Sequence, residues 1–447
     1  MNRRLVCCYI IAALISLPAT AQKQWTLREC CDYAVSHNIA IRQQENACRQ
    51  QELNLSNARN SRLPDVSGSV GQNFSFGRGL TADNTYTNTN TSSTSFSVGA
   101  SVPLFTGFQI PNQIALSRLN LEAATADLEK AKNDICMQVA QAYVQILYDM
   151  EIAEVARRQI AIDSQQVARI QALVDNGKAS GAQLSQQRAS LAGSRLTATQ
   201  ADNNLALGLL NLSQLLELPT ADGFTIVKPA LVDEPAVRGE MFSAVIPSAD
   251  AVYAEALGLK PEIAAQQLRL RATDRTIAIA RAGYMPTLSL SGGLGSNYYT
   301  TSSFSSDPFG KQLKNNFSQY VGLSLNIPIF NRFQTRNNIR SAKIDQQNQK
   351  LALDNTKKTL YKEIQQVCLN ASAARAKYES STAAAQSSHD AFNLIEAKYE
   401  NGKATITEFN EQKNLYLKAE SDLTQARYEY LYQIALLKFY RGQQLDL

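Results

Sequence analysis

The chain has 447 residues, of which 44% are hydrophobic and only 19% charged. That charged share is below the roughly 25% of an average soluble domain, and Ser, Thr, Asn and Gln fill the gap, so its surfaces do not all face bulk water. A net charge of +5, from 44 Lys and Arg against 39 Asp and Glu, is too balanced for a nucleic-acid partner. With a mean hydropathy of -0.25, and no later apolar run near the ~18 residues of a spanning helix, a polytopic helical membrane protein is excluded.

Residues 1–21 read as a secretory signal. Arg3 and Arg4 form the basic start, Val6 to Leu17 the apolar stretch, and Ala19-Thr20-Ala21 a small-residue cleavage site. Cys7 and Cys8 sit too early to carry a lipid anchor. Cleavage leaves Cys30, Cys31, Cys48, Cys136 and Cys368, an odd and scattered set without the spacing of a disulfide framework or a zinc site, so these read as small buried apolar residues. Trp25 opens the mature chain as a staple for the first helix or as a surface residue.

A first structural repeat is expected over residues 22–218. After an opening helix, Val66, Val70, Phe74 and Phe76 alternate with Ser67, Ser69, Asn73 and Ser75, which predicts a strand over about 66–76. A second strand, about 95–104, sets Phe96, Val98, Val102 and Leu104 against Ser95, Ser97 and Ser101. The Thr-, Asn- and Ser-rich stretch from Gly77 to Thr94 is expected to be a long polar loop. A helical hairpin over 110–218 follows, with its tip at 176–178. Ile114, Leu121, Leu128 and Ile135 are seven apart, and a step of four then starts Val139, Ile146, Ala153, Ile160, Val167 and Val174. Such a step locally unwinds a coiled coil without ending it. From Asn112 to Asp175 an unbroken helix would be roughly 96 Å long, too long for a compact globule.

An irregular linker is expected over 219–247, and a second repeat over 248–447. Its strands are expected at about 287–296 and 317–329, and its hairpin at 333–440 with the tip at 401–403. The halves are a tandem duplication: Val102-Pro103-Leu104-Phe105 is echoed by Ile327-Pro328-Ile329-Phe330, and Asn176-Gly177-Lys178-Ala179 by Asn401-Gly402-Lys403-Ala404, both at an offset of 225. The fold class is mixed α+β and mostly α. Strands of about ten residues have the length of tilted barrel strands, although alternation alone also fits a soluble sheet packed on helices.

Catalytic constellations are absent. The two histidines, His37 and His389, lie far apart in helical pattern, and there is no P-loop, paired C-x-x-C, H-E-x-x-H or G-x-S-x-G. Neither enzyme activity, nor a cofactor, nor a metal is expected.

The signal peptide, the two repeats of helix, strands and long hairpin, the opening Trp25-Thr26-Leu27-Arg28-Glu29-Cys30 with Ala34 and Asn38, the V-P-L-F and I-P-I-F junctions and the N-G-K-A tips together resemble the TolC family of outer-membrane efflux proteins. The resemblance covers essentially the whole mature chain. It implies a homotrimer in which each protomer gives four transmembrane β-strands to one shared barrel in outer-membrane lipid, continued by a periplasmic tube of helices. It also implies work with a periplasmic adaptor (membrane fusion) protein and an inner-membrane RND or ABC transporter, as an efflux duct or, alternatively, a type I protein-secretion duct. A non-conducting coiled-coil scaffold would explain the heptads but not the duplicated strand pairs.

The resemblance further implies that Glu408 and Glu411 line a periplasmic gate and that Tyr399 belongs to its latch. Gln183 and Ala404 stand where better-known members carry an acid and an arginine. Six carboxylates brought together in a trimer would raise some of their pKa values. Asn176, Gly177, Lys178, Asn401, Gly402 and Lys403 are expected to meet the adaptor, and Pro64, Pro103, Pro286 and Pro328 to turn the chain between barrel and tube.

Overall fold

The computed structural model describes residues 24–80, 83–228, 246–303 and 305–445. The expected signal at 1–21, and residues 229–245 of the expected linker, lie outside the described residues. The first repeat runs β1 (Gln24–Trp25), α1 (Leu27–His37), α2 (Ile39–Asn60), β2 (Asp65–Leu80), β3 (Tyr86–Phe105), α3 (Gln109–Asp175) and α4 (Gly181–Leu215). After β4 (Thr225–Ile226), the second gives α5 (Ala249–Leu259), α6 (Pro261–Ala282), β5 (Thr287–Thr301), α7 (Phe309–Asn315), β6 (Ser318–Asn326), α8 (Gln334–Glu400) and α9 (Ile406–Tyr440). The chain forms two compact units whose boundaries fall inside helices. One takes residues up to 45, 128–261 and from 357 onward, and the other takes 46–127 and 262–356.

In the first unit, the heptad positions make the core. Val139, Ile146 and Ala153 of α3, Leu184, Leu191 and Ala198 of α4, Ile364 and Ala371 of α8, and Phe409 and Leu437 of α9 are all buried. Both helical hairpins have arms of 67 and 35 residues, so the duplication is kept in element length as well as sequence. The four-residue step between Ile135 and Val139 lies inside uninterrupted α3.

Each opening helix is broken at one residue, Asn38 in the first repeat and Lys260 in the second, and both are buried. These breaks meet the ends of the ascending arms. Asn38 donates Nδ2 to the carbonyl of Leu215 at 3.1 Å, and the Lys260 ammonium lies 4.5 Å from the ring centre of Tyr440. A donor or cation suits a helix C-terminus, where carbonyls lack partners. Trp25 packs edge-on against Tyr33 of the first helix at 5.1 Å, ahead of a capping box between Thr26 and Glu29.

The second unit holds one antiparallel sheet in the order β2-β3-β5-β6. Its two hairpins are joined by β3 pairing with β5, which brings the repeats side by side. The expected loop from Gly77 to Thr94 is instead mostly strand, because β2 and β3 pair without a break from Asp65↔Ser101 to Leu80↔Tyr86. Its sequence hid this: the outer half is polar on both faces, so the period-2 apolar signal vanishes while the backbone ladder continues. The other expected loop, Asn297 to Asn316, also begins as strand and contains the short α7. β6 ends at Asn326, short of the expected 329.

Candidate functional site

Register gives the sheet two chemically distinct faces. On one, Val70 lies opposite Phe96, Val98 opposite Leu294, Val102 opposite Leu290, and Leu290 opposite Leu323. On the other, Ser69 lies opposite Ser97, Ser101 opposite Ser291, and Ser289 opposite Ser324; the Ser69 and Ser97 hydroxyls are 2.7 Å apart. Phe309 of α7 packs on this apolar face against Phe96 and Tyr298, with ring centres 6.2 and 5.1 Å apart, but most of the face is uncovered within the chain: Val70 is 71% exposed, Phe76 75% and Val321 83%. β2 and β6 have each one paired side and one open edge. An exposed apolar face with two open edges is unstable in water and, with its edges closed by further strands, suited to lipid.

The strand-to-helix junctions place the four prolines differently from the expectation for one of them. Pro64 and Pro286 directly precede β2 and β5, and Pro328 follows β6 by two residues. Pro103 lies inside β3, where the register with β5 slips between Pro103 and Phe105; a residue without an N–H is tolerated at such a bulge. The turns themselves are made by paired left-handed residues, Gly107 and Phe108 at φ 61° and 67°, and Arg332 and Phe333 at 54° and 59°. These pairs are related by the repeat offset, as are the aromatic contacts Phe105–Phe108 and Phe330–Phe333, with ring centres 5.4 and 5.5 Å apart. Left-handed phenylalanine is uncommon and strained, and its recurrence shows what redirects the chain.

The two tips are near copies. Gly177 and Gly402 both have φ +69°. The amide of Lys178 bonds to the Leu173 carbonyl at 2.8 Å and that of Lys403 to Lys398 at 2.8 Å, the pattern of a Schellman cap. Asn176 and Asn401 donate from Nδ2 to the carbonyls of Ala172 and Ala397, each at 2.7 Å. Ser180 and Thr405 then start the ascending arms with capping boxes to Gln183 and Glu408. Lys178 and Lys403 are exposed.

Of the expected gate residues, the structure brings Tyr399 and the first turn of α9 together. Tyr399 stacks on Phe409 with ring centres 4.9 Å apart, beside a buried cluster of Ile170, Leu184, Phe392, Ile406 and Phe409. Burial pushes its phenol pKa up. Glu408 accepts hydrogen bonds at one oxygen from the Thr405 amide at 2.7 Å and hydroxyl at 2.9 Å. These hold its carboxyl below the ordinary value within one protomer. Glu411 is exposed on the next turn.

One residue at this site is not legible in the sequence. Arg169 of α3 places its guanidinium 5.5 Å from the centre of the Tyr399 ring and donates to the Glu400 carbonyl at 3.3 Å. It supplies a cation to the end of α8, where Ala404 offers none. Arg169 and Glu400 are 231 residues apart in the chain, so only folding brings them together. A basic residue within one heptad of the first tip is the sole local trace. Among the described residues no three or more His, Cys, Asp and Glu gather to hold a metal, and no helix is long and apolar enough to cross a membrane.

The chain belongs to the outer membrane efflux protein family, whose sequence profile matches residues 32–217 and 252–443, one segment in each repeat. It is 22% identical over 440 residues to the outer membrane efflux protein BepC of Brucella suis biovar 1, covering 95% of this chain and 90% of that one. With the outer membrane protein OprJ of Pseudomonas aeruginosa it shares 25% identity over 392 residues, 84% and 75% of the two chains. The fold is that of solved channels such as the CmeC outer membrane channel of Campylobacter jejuni, at a TM-score of 0.74 and 18% identity over 94% of this chain and 87% of that one. The protein is thus a TolC-like outer-membrane efflux channel with a large periplasmic helical part.

Proposed function

We propose that three copies of the chain close one barrel, β2 of each protomer pairing with β6 of the next, and that the channel so formed is the passive exit duct of a tripartite efflux pump. The carrying observation is the sheet with an exposed apolar face and two open edges, since four strands cannot close a barrel and lipid tolerates no open edge. The apolar face meets outer-membrane lipid, the Ser- and Gly-rich face lines the lumen, and the long hairpins extend into the periplasm. At their ends Asn176, Gly177, Lys178, Asn401, Gly402 and Lys403 form a ring of six turns that meets a periplasmic adaptor, which links the duct to an inner-membrane RND or ABC transporter. Tyr399, Glu408 and Glu411 form the gate. Support for this comes from the near-identical caps at the two tips and from Tyr399 packing against the first turn of the arm that carries both acids.

Planar-bilayer recordings of the purified protein test the reading. Discrete conductance steps are expected, with cation selectivity and divalent block reduced in a Glu408→Gln, Glu411→Gln double variant. An absence of steps would contradict the duct, and unchanged selectivity and block would remove the two acids from the gate.

A further inference from the structure

The cysteines, scattered in sequence, are not scattered in the fold. Cys31 on α1 and Cys136 on α3, 105 residues apart, meet where the first helix docks on the long descending arm. The Cys31 thiol donates to the Cys136 carbonyl at 3.9 Å. Cys31 is buried and Cys136 half-buried. Seven residues further along α3, Tyr143 donates from its hydroxyl to the carbonyls of Val227 at 2.5 Å and Trp25 at 3.1 Å, so the chain on both sides of this contact is held in place. Of the other three cysteines, Cys368 donates to the Pro247 carbonyl at 3.8 Å, Cys48 lies on α2 in the other compact unit, and Cys30 is fully buried next to Cys31.

We propose that Cys31 and Cys136 are a disulfide-forming pair, joined after export by a periplasmic protein oxidant that carries a reactive disulfide. The compartment of the helical part is oxidising, and a thiol that already reaches the backbone of the other cysteine has little distance to close. The neighbouring Cys31 thiol lowers the pKa of Cys136 against the opposing effect of burial, while Cys136 and burial raise that of Cys31. Cys136, the less buried of the two and the one whose thiolate is favoured, is therefore the attacking thiolate and Cys31 the resolving thiol. In the first step the Cys136 sulfur attacks one sulfur of the oxidant's disulfide, forming a mixed disulfide and releasing the other sulfur as a thiolate. Cys31 then passes its proton to that thiolate and displaces the oxidant from Cys136. The pair loses two electrons and two protons, and the oxidant's disulfide becomes two thiols. The closed loop contains β2, β3 and the start of α3, so the bond restrains a long stretch of the unfolded chain while fastening α1 to α3.

The test uses the full chain, exported, purified from outer membranes without reductant, denatured, alkylated with iodoacetamide, and analysed by intact mass and peptide mapping. The expected result is alkylation of Cys30, Cys48 and Cys368 alone, with a linked peptide joining Cys31 to Cys136 and all five alkylated once reduced. Because Cys30 and Cys31 share a peptide, Cys30→Ala is expected to keep the link and Cys31→Ala to abolish it. Five alkylated cysteines before reduction, or a link through Cys30, Cys48 or Cys368, would overturn the assignment. The thiol count on the unaltered protein needs no variant to fold.

Discussion

The ammonium of Lys413 lies 2.6 Å from a carboxylate oxygen of Asp163, with side-chain exposures of 2% and 0%. The pair joins α9 of the second hairpin to α3 of the first, within a dense polar network. Asp163 also accepts from Gln159 at 2.9 Å, from Gln187 at 3.3 Å and from the Ser194 hydroxyl, and Lys413 reaches Ser190 and Asn410 at 3.5 and 3.4 Å. The repeat counterparts are Ser388 and Arg188, so the link occurs once per chain. Removing one partner strands a buried charge, whereas replacing both does not. Lys413→Met is expected to destabilise by about 3–5 kcal/mol, and Asp163→Leu combined with Lys413→Met to recover most of that loss. Thermal melts in detergent check both; a double variant no more stable than the single one would contradict the reading.

Glu151 supplies the acid limit of stability. Its carboxylate is held by Arg427 at 2.6 and 2.5 Å, by the Tyr428 hydroxyl at 2.8 Å and by Lys228 at 3.0 Å. Burial pushes its pKa up, but Arg427, Lys228 and Tyr428 together bring it below the ordinary value. A depressed folded pKa means that the folded state binds the proton less readily than the unfolded chain. The stabilisation is therefore present above the unfolded value of about 4.3 and is lost as pH falls through the folded one. Melting midpoints measured from pH 7 to pH 3 are expected to fall steeply below about 4.3, and less steeply for Glu151→Gln, which starts lower at neutral pH.

At the tips, Arg169 is expected to hold the two hairpins together in the proposed closed gate, through the Tyr399 ring and the Glu400 carbonyl. Arg169→Ala should raise the open-state occupancy of single channels without dissociating the trimer. Conductance identical to that of the unaltered protein would leave Arg169 as an ordinary surface contact.

Bulky substitutions at Lys178 and Lys403 are expected to abolish cross-linking to the adaptor while sparing the trimer, since both side chains are exposed beyond the caps. The glycines test the caps separately. Gly177→Ala and Gly402→Ala each put a Cβ on a left-handed residue, at a cost of about 1–2 kcal/mol, although neither Cβ would meet a neighbouring atom. Unchanged cross-linking in the lysine variants would place the adaptor elsewhere.

The two sheet faces make opposite predictions on one strand. Val98→Arg puts a charge on the apolar face and should cost about 2–4 kcal/mol where that face meets the lipid midplane. Ser101→Arg lies on the other face and should leave assembly intact while changing ion selectivity. Heat-stability of the oligomer on gels, together with bilayer recordings, distinguishes them.

The sequence carries the long-range plan of this fold more clearly than its local chemistry. Heptads at Val139, Ile146 and Ala153, with their copies at Ile364, Ala371 and Tyr378, are visible because packing at a helical seam repeats every seven residues. The Gly177 and Gly402 caps are visible because few residues accept a left-handed φ. What stays hidden depends on contacts between distant elements. Cys31 and Cys136, or Asp163 and Lys413, form pairs through helix packing, which leaves no spacing rule in the chain. Asp163 gives one trace, a charge three residues after Ile160, on the apolar seam of α3. The strand from Tyr86 to Thr94 is hidden for a different reason: an edge-to-edge ladder needs only backbone groups, so polar side chains on both faces do not prevent it.

In the proposed assembly, the open edges of β2 and β6 belong to one another in neighbouring copies. Native mass spectrometry of the protein in mild detergent measures this most directly. A dominant species of three times the protomer mass is expected, lost together with membrane insertion when the β2 edge is blocked by Val70→Pro. A population that remains monomeric in mild detergent, where the membrane sheet is kept folded, would contradict it.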